Sequence, residues 1–126
     1  MGDLSKHFSI NEVECKCGCG YHSVNPVTLQ CVEKLRESWG LPIIPGSVCR
    51  CTEHNKHVGG SRTSKHLTGE AFDIPCRGLI KQAELLDIIL NIPEFHNGGI
   101  GLYDWGIHVD TRDNGPSRWN LRTNKG

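Results

Sequence analysis

The chain has 126 residues, 37% hydrophobic and 22% charged, which suits one globular domain with one core and excludes both two ordinary domains and a disordered chain. Lysine plus arginine number 14, as do aspartate plus glutamate, so the formal charge is zero; this leaves no electrostatic case for nucleic acid or an anionic membrane surface. No apolar run approaches the about 20 residues of a membrane helix, and residues 1–7 carry no apolar signal core, so synthesis in the cytoplasm without a signal peptide is expected and membrane insertion is not.

In chain order, residues 8–13 read as a short helix start, with Ser9 and Glu12 at capping-box spacing. Cys15-Lys16-Cys17-Gly18-Cys19-Gly20 follows as a tight loop with three thiols. Asn25 as cap and Pro26 in the first turn open a helix that runs to about residue 39 and ends at Gly40. Val27, Cys31, Leu35 and Trp39 recur every four residues as its expected buried stripe. Ile43-Ile44 begins a short strand leading to Ser47-Val48-Cys49. Residues 50–69 are polar, with Gly59-Gly60 in the middle, and read as a long loop of the kind that carries function.

Residues 71–74 read as a strand, and residues 79–92 as a second helix with Ala83, Leu86 and Leu90 on one face and Pro93 closing it. Residues 99–103 and 107–110 read as two strands joined by a tight turn at Asp104-Trp105-Gly106. The sum is an α+β fold, two or three helices on a small, mainly antiparallel sheet, as a single domain over 1–126.

A catalytic zinc takes three protein ligands of histidine and carboxylate type and keeps one position open. His66 and Asp73 are seven positions apart, a spacing that suits a loop turning at Gly69 into a strand rather than a helical pair. His108 lies on a later strand, where pairing brings it to the same point. In a chain with seven histidines, spacing alone is a weak signal for this triple.

The surrounding segments add to it. Ser64-x-His66-x-x-Gly69-x-Ala71-x-Asp73 and the later His108-Val109-Asp110 resemble the zinc peptidase family M15, which holds D-Ala-D-Ala carboxypeptidases, D-Ala-D-Ala dipeptidases and phage L-alanyl-D-glutamate endopeptidases. Ser47-Val48-Cys49-Arg50-Cys51-Thr52-Glu53-His54-Asn55 is similar to that family's Ser-Gly-Tyr-Arg-Cys-Pro-Glu-His-Asn segment, with Val48 and Cys49 where Gly and Tyr are usual. Val58-Gly59-Gly60, Gly99-Ile100-Gly101-Leu102-Tyr103 and Arg118-Trp119 fall in the family's order, and the Phe8-Ser9 start with its Cys-x-Cys-Gly-Cys loop resembles the carboxypeptidase-like branch.

The resemblance implies a fold like that of the hedgehog and D-Ala-D-Ala peptidases, and one catalytic zinc on His66, Asp73 and His108. It implies hydrolysis of a peptide bond in the stem peptide of bacterial peptidoglycan, by a carboxypeptidase or an endolysin. Arg50 is the expected substrate-binding arginine, and Ser64 binds substrate or orients its loop. Many relatives carry an acid three residues before the last histidine; here Trp105 stands there. The general base is then Asp104, slightly favoured for its place in the turn, or Asp110, which alternatively supports a ligand or anchors Arg112. A monomeric lysin made in the cytoplasm and released to the wall through a holin pore is the expected setting. Trp39 and Trp119 read as core residues, and Trp105 as a cleft residue.

Seven cysteines cannot all pair within one chain. Cys15, Cys17 and Cys19, with Cys51, offer either a second, structural zinc site or disulfides. The Cys-x-Cys spacing departs from the two-residue gap of zinc knuckles and weighs against zinc. The rival functions are a catalytically inactive zinc-containing domain that binds wall peptide or a protein partner, and a cysteine-rich contact module.

Overall fold

Asp73 and His108 are direct partners across two antiparallel strands, and the fold is most simply described outward from that pair. The computed structural model describes residues 2–123; Met1 and residues 124–126, which the expected 1–126 domain includes, lie outside the described residues. The sheet contains β1 (Ala71–Pro75), β2 (Gly99–Leu102), β3 (Gly106–Asp110) and β4 (Ser117–Asn120), in the spatial order β1-β3-β2-β4. The β1–β3 and β3–β2 pairs are antiparallel and β2–β4 is parallel. The helices are α1 (Ile10–Val13), α2 (Pro26–Trp39), α3 (Thr52–His57), α4 (Leu79–Leu90) and α5 (Pro93–His96), with a 3-10 turn at Lys65–Thr68. This is the expected single-domain α+β fold, with three short helices besides the two long ones among the described residues.

The pleat divides the sheet into a core face and a site face. Phe72, Ile74, Ile107 and Val109 are buried in the core with Val32 and Leu35 of α2 and Leu85 and Ile89 of α4. Asp73, His108 and Asp110 alternate with them and take the other face. One row of partners crosses that face from β1 to β4, running Asp73, His108, Gly101, Trp119.

The ends of α2 follow from its sequence. Asn25 Oδ1 accepts from the backbone N–H of Val27 at 2.9 Å and of Thr28 at 3.1 Å, Pro26 occupies the first turn, and the helix stops at Gly40. Its buried face differs from the expected stripe: Thr28, Cys31, Val32 and Leu35 are buried, whereas Val27 is 49% exposed. A strict four-residue repeat drifts by about 40° per step around a 3.6-residue turn, so it leaves the core within two turns. In α4 the buried residues are Gln82, Leu85 and Ile89, one position from the expected face; Leu79, Ile80, Leu86, Ile88 and Leu90 make the helix apolar nearly all round, so its pattern does not select a side. Pro93 does not close α4 but opens α5.

The strand expected from Ile43 is a single bridge, Ser47 to Asp73, because Pro45 has no N–H to extend a ladder. The long loop over 50–69 contains α3, capped by Cys51, and the 3-10 turn, capped by Ser64. β4 was not expected from sequence: Ser117-Arg118-Trp119-Asn120 carries no apolar alternation, and its strand state follows from pairing with β2.

Candidate metal centre

His66 comes from the 3-10 turn just before β1. The turn is fixed on several sides: Ser64 Oγ accepts from His66 N–H at 3.2 Å, Arg50 N–H donates to His66 O at 3.0 Å, and the Tyr21 hydroxyl donates to Leu67 O at 2.7 Å. His66, Asp73 and His108 are brought together, with one donor atom from each lying within 4.8 Å of the others.

The hydrogen bonds behind the two imidazoles decide what these atoms are. His66 Nδ1 lies 2.8 Å from Val48 O, which only accepts, so Nδ1 carries the proton. His108 Nε2 lies 2.7 Å from Asp110 Oδ2, a carboxylate oxygen that also accepts from Arg112, so Nε2 carries the proton there. That leaves lone pairs on His66 Nε2 and His108 Nδ1, at 3.2 and 3.0 Å from Asp73 Oδ1. Tetrahedral zinc with ligand bonds near 2.05 Å separates its donors by about 3.3 Å. Three acceptors converging at this spacing fit a small cation.

Protons compete with a cation for these same atoms. Burial pushes the Asp73 carboxyl up, but with no cation between them a proton on the facing His108 or His66 nitrogen donates to Asp73 Oδ1, outweighs burial and holds the group well below the usual carboxylate range. Burial raises Asp110 as well, and its bonds to Arg112 and His108 bring it well below that range. Burial lowers the His108 imidazole, while its bonds to Asp110 and Asp73 dominate and raise it.

The triad opens into a cleft of about 580 Å³ lined by Arg50, Ser64, Lys65, Tyr103, Trp105, Arg112 and Trp119, among others. Arg50 donates to Asn55 Oδ1 at 3.0 Å and to Ser47 Oγ at 3.3 Å. Both partners are neutral, so its positive charge is held in place without being cancelled. Ser64 lines the cleft and caps the turn.

Neither candidate base faces the cleft. Asp104 is exposed and accepts from Thr123 N–H at 3.0 Å and from Thr123 Oγ at 2.9 Å. Asp110 is wholly buried and accepts from Gly99 N–H, Arg112 and His108, on the far side of the imidazole from Asp73. Among the described residues the carboxylate lining the cleft is Asp73.

Trp105 lines the cleft as expected, and Trp119 departs from its expected core position. Trp119 lines the cleft, tilted against His108 with ring centroids 5.1 Å apart; Trp105 stacks on Tyr103 at 4.7 Å. Tyr103, which in sequence reads as the end of an ordinary strand, also lines the cleft from the mouth of the β2–β3 turn. Val48 and Cys49, standing where the family has Gly and Tyr, are buried in the core, and the aromatic wall comes from Tyr103, Trp105 and Trp119 instead.

The family model described as Peptidase M15 matches residues 6–110. The chain belongs to the peptidase M15 family. Members of this family are zinc metallopeptidases, and the His-Asp-His cluster lies within the matched span. Among curated proteins, none matches the chain. No helix among the described residues is long and apolar enough to cross a membrane.

Proposed function

We propose that this M15 chain hydrolyses a peptide bond in the stem peptide of bacterial peptidoglycan, as a monomer, with zinc held by His66, Asp73 and His108. The observation that carries the reading is the tautomer pair: Val48 O and Asp110 fix both imidazole protons away from Asp73, so two nitrogen lone pairs and a carboxylate oxygen meet at one point. Zinc bound there supplies Lewis acidity to a substrate carbonyl and to a water.

The chain's own groups do the rest. Arg50, an uncancelled guanidinium on the cleft wall, binds a substrate carboxylate, as cell-wall peptides with free carboxyls require. The Tyr103 hydroxyl accepts from Trp119 Nε1–H at 2.8 Å, which leaves its own proton free to donate to developing negative charge on the substrate. Trp105 and Trp119 flank the peptide and keep water off it. Asp110 acts through His108 as a positioning residue. The expected site of action is the wall, as a released lysin or a remodelling enzyme.

A second reading is favoured by one observation: among the described residues, no carboxylate besides Asp73 lines the cleft. On that reading the domain holds zinc and binds wall peptide without cutting it. Incubating zinc-loaded protein with purified peptidoglycan and examining the fragments by mass spectrometry separates the two. A new amine at one defined bond, lost in His66→Ala, supports the peptidase. Bound but intact peptide supports the binding domain.

A further inference from the structure

The other concentration of soft ligands lies away from the cleft. Cys15, Cys17, Cys19 and Cys51 each offer a sulfur, and the four sulfurs all lie within 4.8 Å of one another. Three come from one short loop and the fourth caps α3, 32 residues beyond Cys19 in sequence. The loop is closed by the Cys15 N–H donating to Tyr21 O at 2.7 Å and the Gly18 N–H donating to Cys15 O at 3.2 Å. Gly18 and Gly20, at φ of 85° and 88°, supply the left-handed conformations that let alternate residues turn their thiols to one side.

We propose that these four cysteines form a structural site for a second zinc ion, which pins the N-terminal loop to the segment carrying Val48 and Arg50. The sulfur separations fit: Cys15 to Cys17 is 3.4 Å and Cys17 to Cys51 is 3.7 Å, against an edge of about 3.8 Å for four sulfurs tetrahedral around zinc at 2.3 Å. Backbone N–H groups already serve the sulfurs, Cys51 N–H donating to Cys15 Sγ and His54 N–H to Cys51 Sγ, both at 3.4 Å. Such donors stabilise thiolates, and four thiolates at this spacing repel one another unless a cation joins them. Four sulfur ligands select zinc or iron over harder metals, and a closed Cys₄ set is a structural rather than a catalytic arrangement.

The sequence objection, a one-residue gap where zinc knuckles have two, is met by the fold. The set is completed by Cys51 rather than by a second loop pair, and the glycines provide the tight turn. Cys31, Cys49 and Cys76 stand outside the cluster, so the odd count resolves into four ligands and three separate thiols.

The site also reaches the proposed active site through backbone. Cys49 N–H donates to Val13 O at 2.9 Å, and Val48 O is the acceptor that orients His66. Zinc at the cysteines therefore holds in place the Val48–Cys49 backbone on which a ligand's tautomer depends.

Zinc per chain, measured by plasma mass spectrometry on protein purified under reducing conditions, tests this. The expected values are two for the wild type, one for Cys17→Ser/Cys19→Ser, and one for His66→Ala. His66→Ala loaded with cobalt should show an intense near-ultraviolet thiolate-to-cobalt charge-transfer band; this needs no cysteine substitution and does not depend on the peptidase reading. One zinc in the wild type, with Cys17, Cys19 and Cys51 reacting with Ellman's reagent before any chelator is added, overturns the proposal. So does a disulfide within the cluster, or a His66→Ala cobalt spectrum without the thiolate band.

Discussion

Asp110 Oδ2 accepts from His108 Nε2 at 2.7 Å and thereby turns His108 Nδ1 toward Asp73. A buried carboxylate behind a ligand histidine fixes its tautomer and raises its basicity. Asp110→Asn should therefore lower zinc affinity at the triad by about 10–100-fold, read by competition with a chromophoric chelator, with circular dichroism confirming the fold. Unchanged affinity would remove Asp110 from the account.

The same carboxylates set an acid limit. Asp73 and Asp110 are held below their ordinary range in the folded chain, so each contributes stability that is present above the unfolded value near about 3.9. That stability is lost as pH falls from there toward the folded value, because the unfolded state takes up protons first. The thermal midpoint of metal-free protein should fall across this window, and less steeply in Asp110→Asn. A midpoint flat with pH in both proteins would contradict the ion-pair geometry.

Asp104 spends its carboxylate on Thr123. If the protein hydrolyses peptide as proposed, Asp104→Asn should lose less than about tenfold in kcat, equivalent to ~1.4 kcal/mol in the barrier. A loss of several orders of magnitude would restore Asp104 as the base.

Arg50 is held by its planar fork on Asn55 and Ser47, a geometry that lysine cannot reproduce. Arg50→Lys should raise KM for a peptide with a free carboxylate by roughly 10–100-fold, the range of a charged hydrogen bond worth about 1.5–3 kcal/mol. The amide form of the same peptide should be nearly unaffected. Equal losses on both peptides would make Arg50 a purely structural residue.

Gly101 stands between His108 and Trp119 in the row across the site face, and a Cβ there would run into the Trp119 indole. Gly101→Ala should displace Trp119 from His108 and cost about 1–3 kcal/mol of stability by overpacking, measured by denaturant unfolding with tryptophan fluorescence as the probe. An unchanged spectrum and midpoint would mean that the indole has room to spare.

Much of the framework was legible because local chemistry announces it. Asn25-Pro26 and Gly40 bound α2, and the Ser9–Glu12 box starts α1. What depends on distant partners was not legible. The strand state of Ser117–Asn120 comes from β2, and the side on which α4 packs comes from the sheet beneath it. The ligand triple could be read only from the order of segments around it, since the Asp73–His108 pairing is a matter of register. Asp110 was readable as close to His108 but not as buried behind it: the two-residue period gives a face, while Gly99 and Arg112 decide what covers that face.

The most direct test of the zinc assignment is an anomalous difference map at the zinc edge from crystals of the zinc-loaded protein. The account predicts a peak within about 2.0–2.2 Å of His66 Nε2, an Asp73 carboxylate oxygen and His108 Nδ1. No peak at the triad, or a peak bound to His108 through Nε2 with Asp110 turned away, would contradict it.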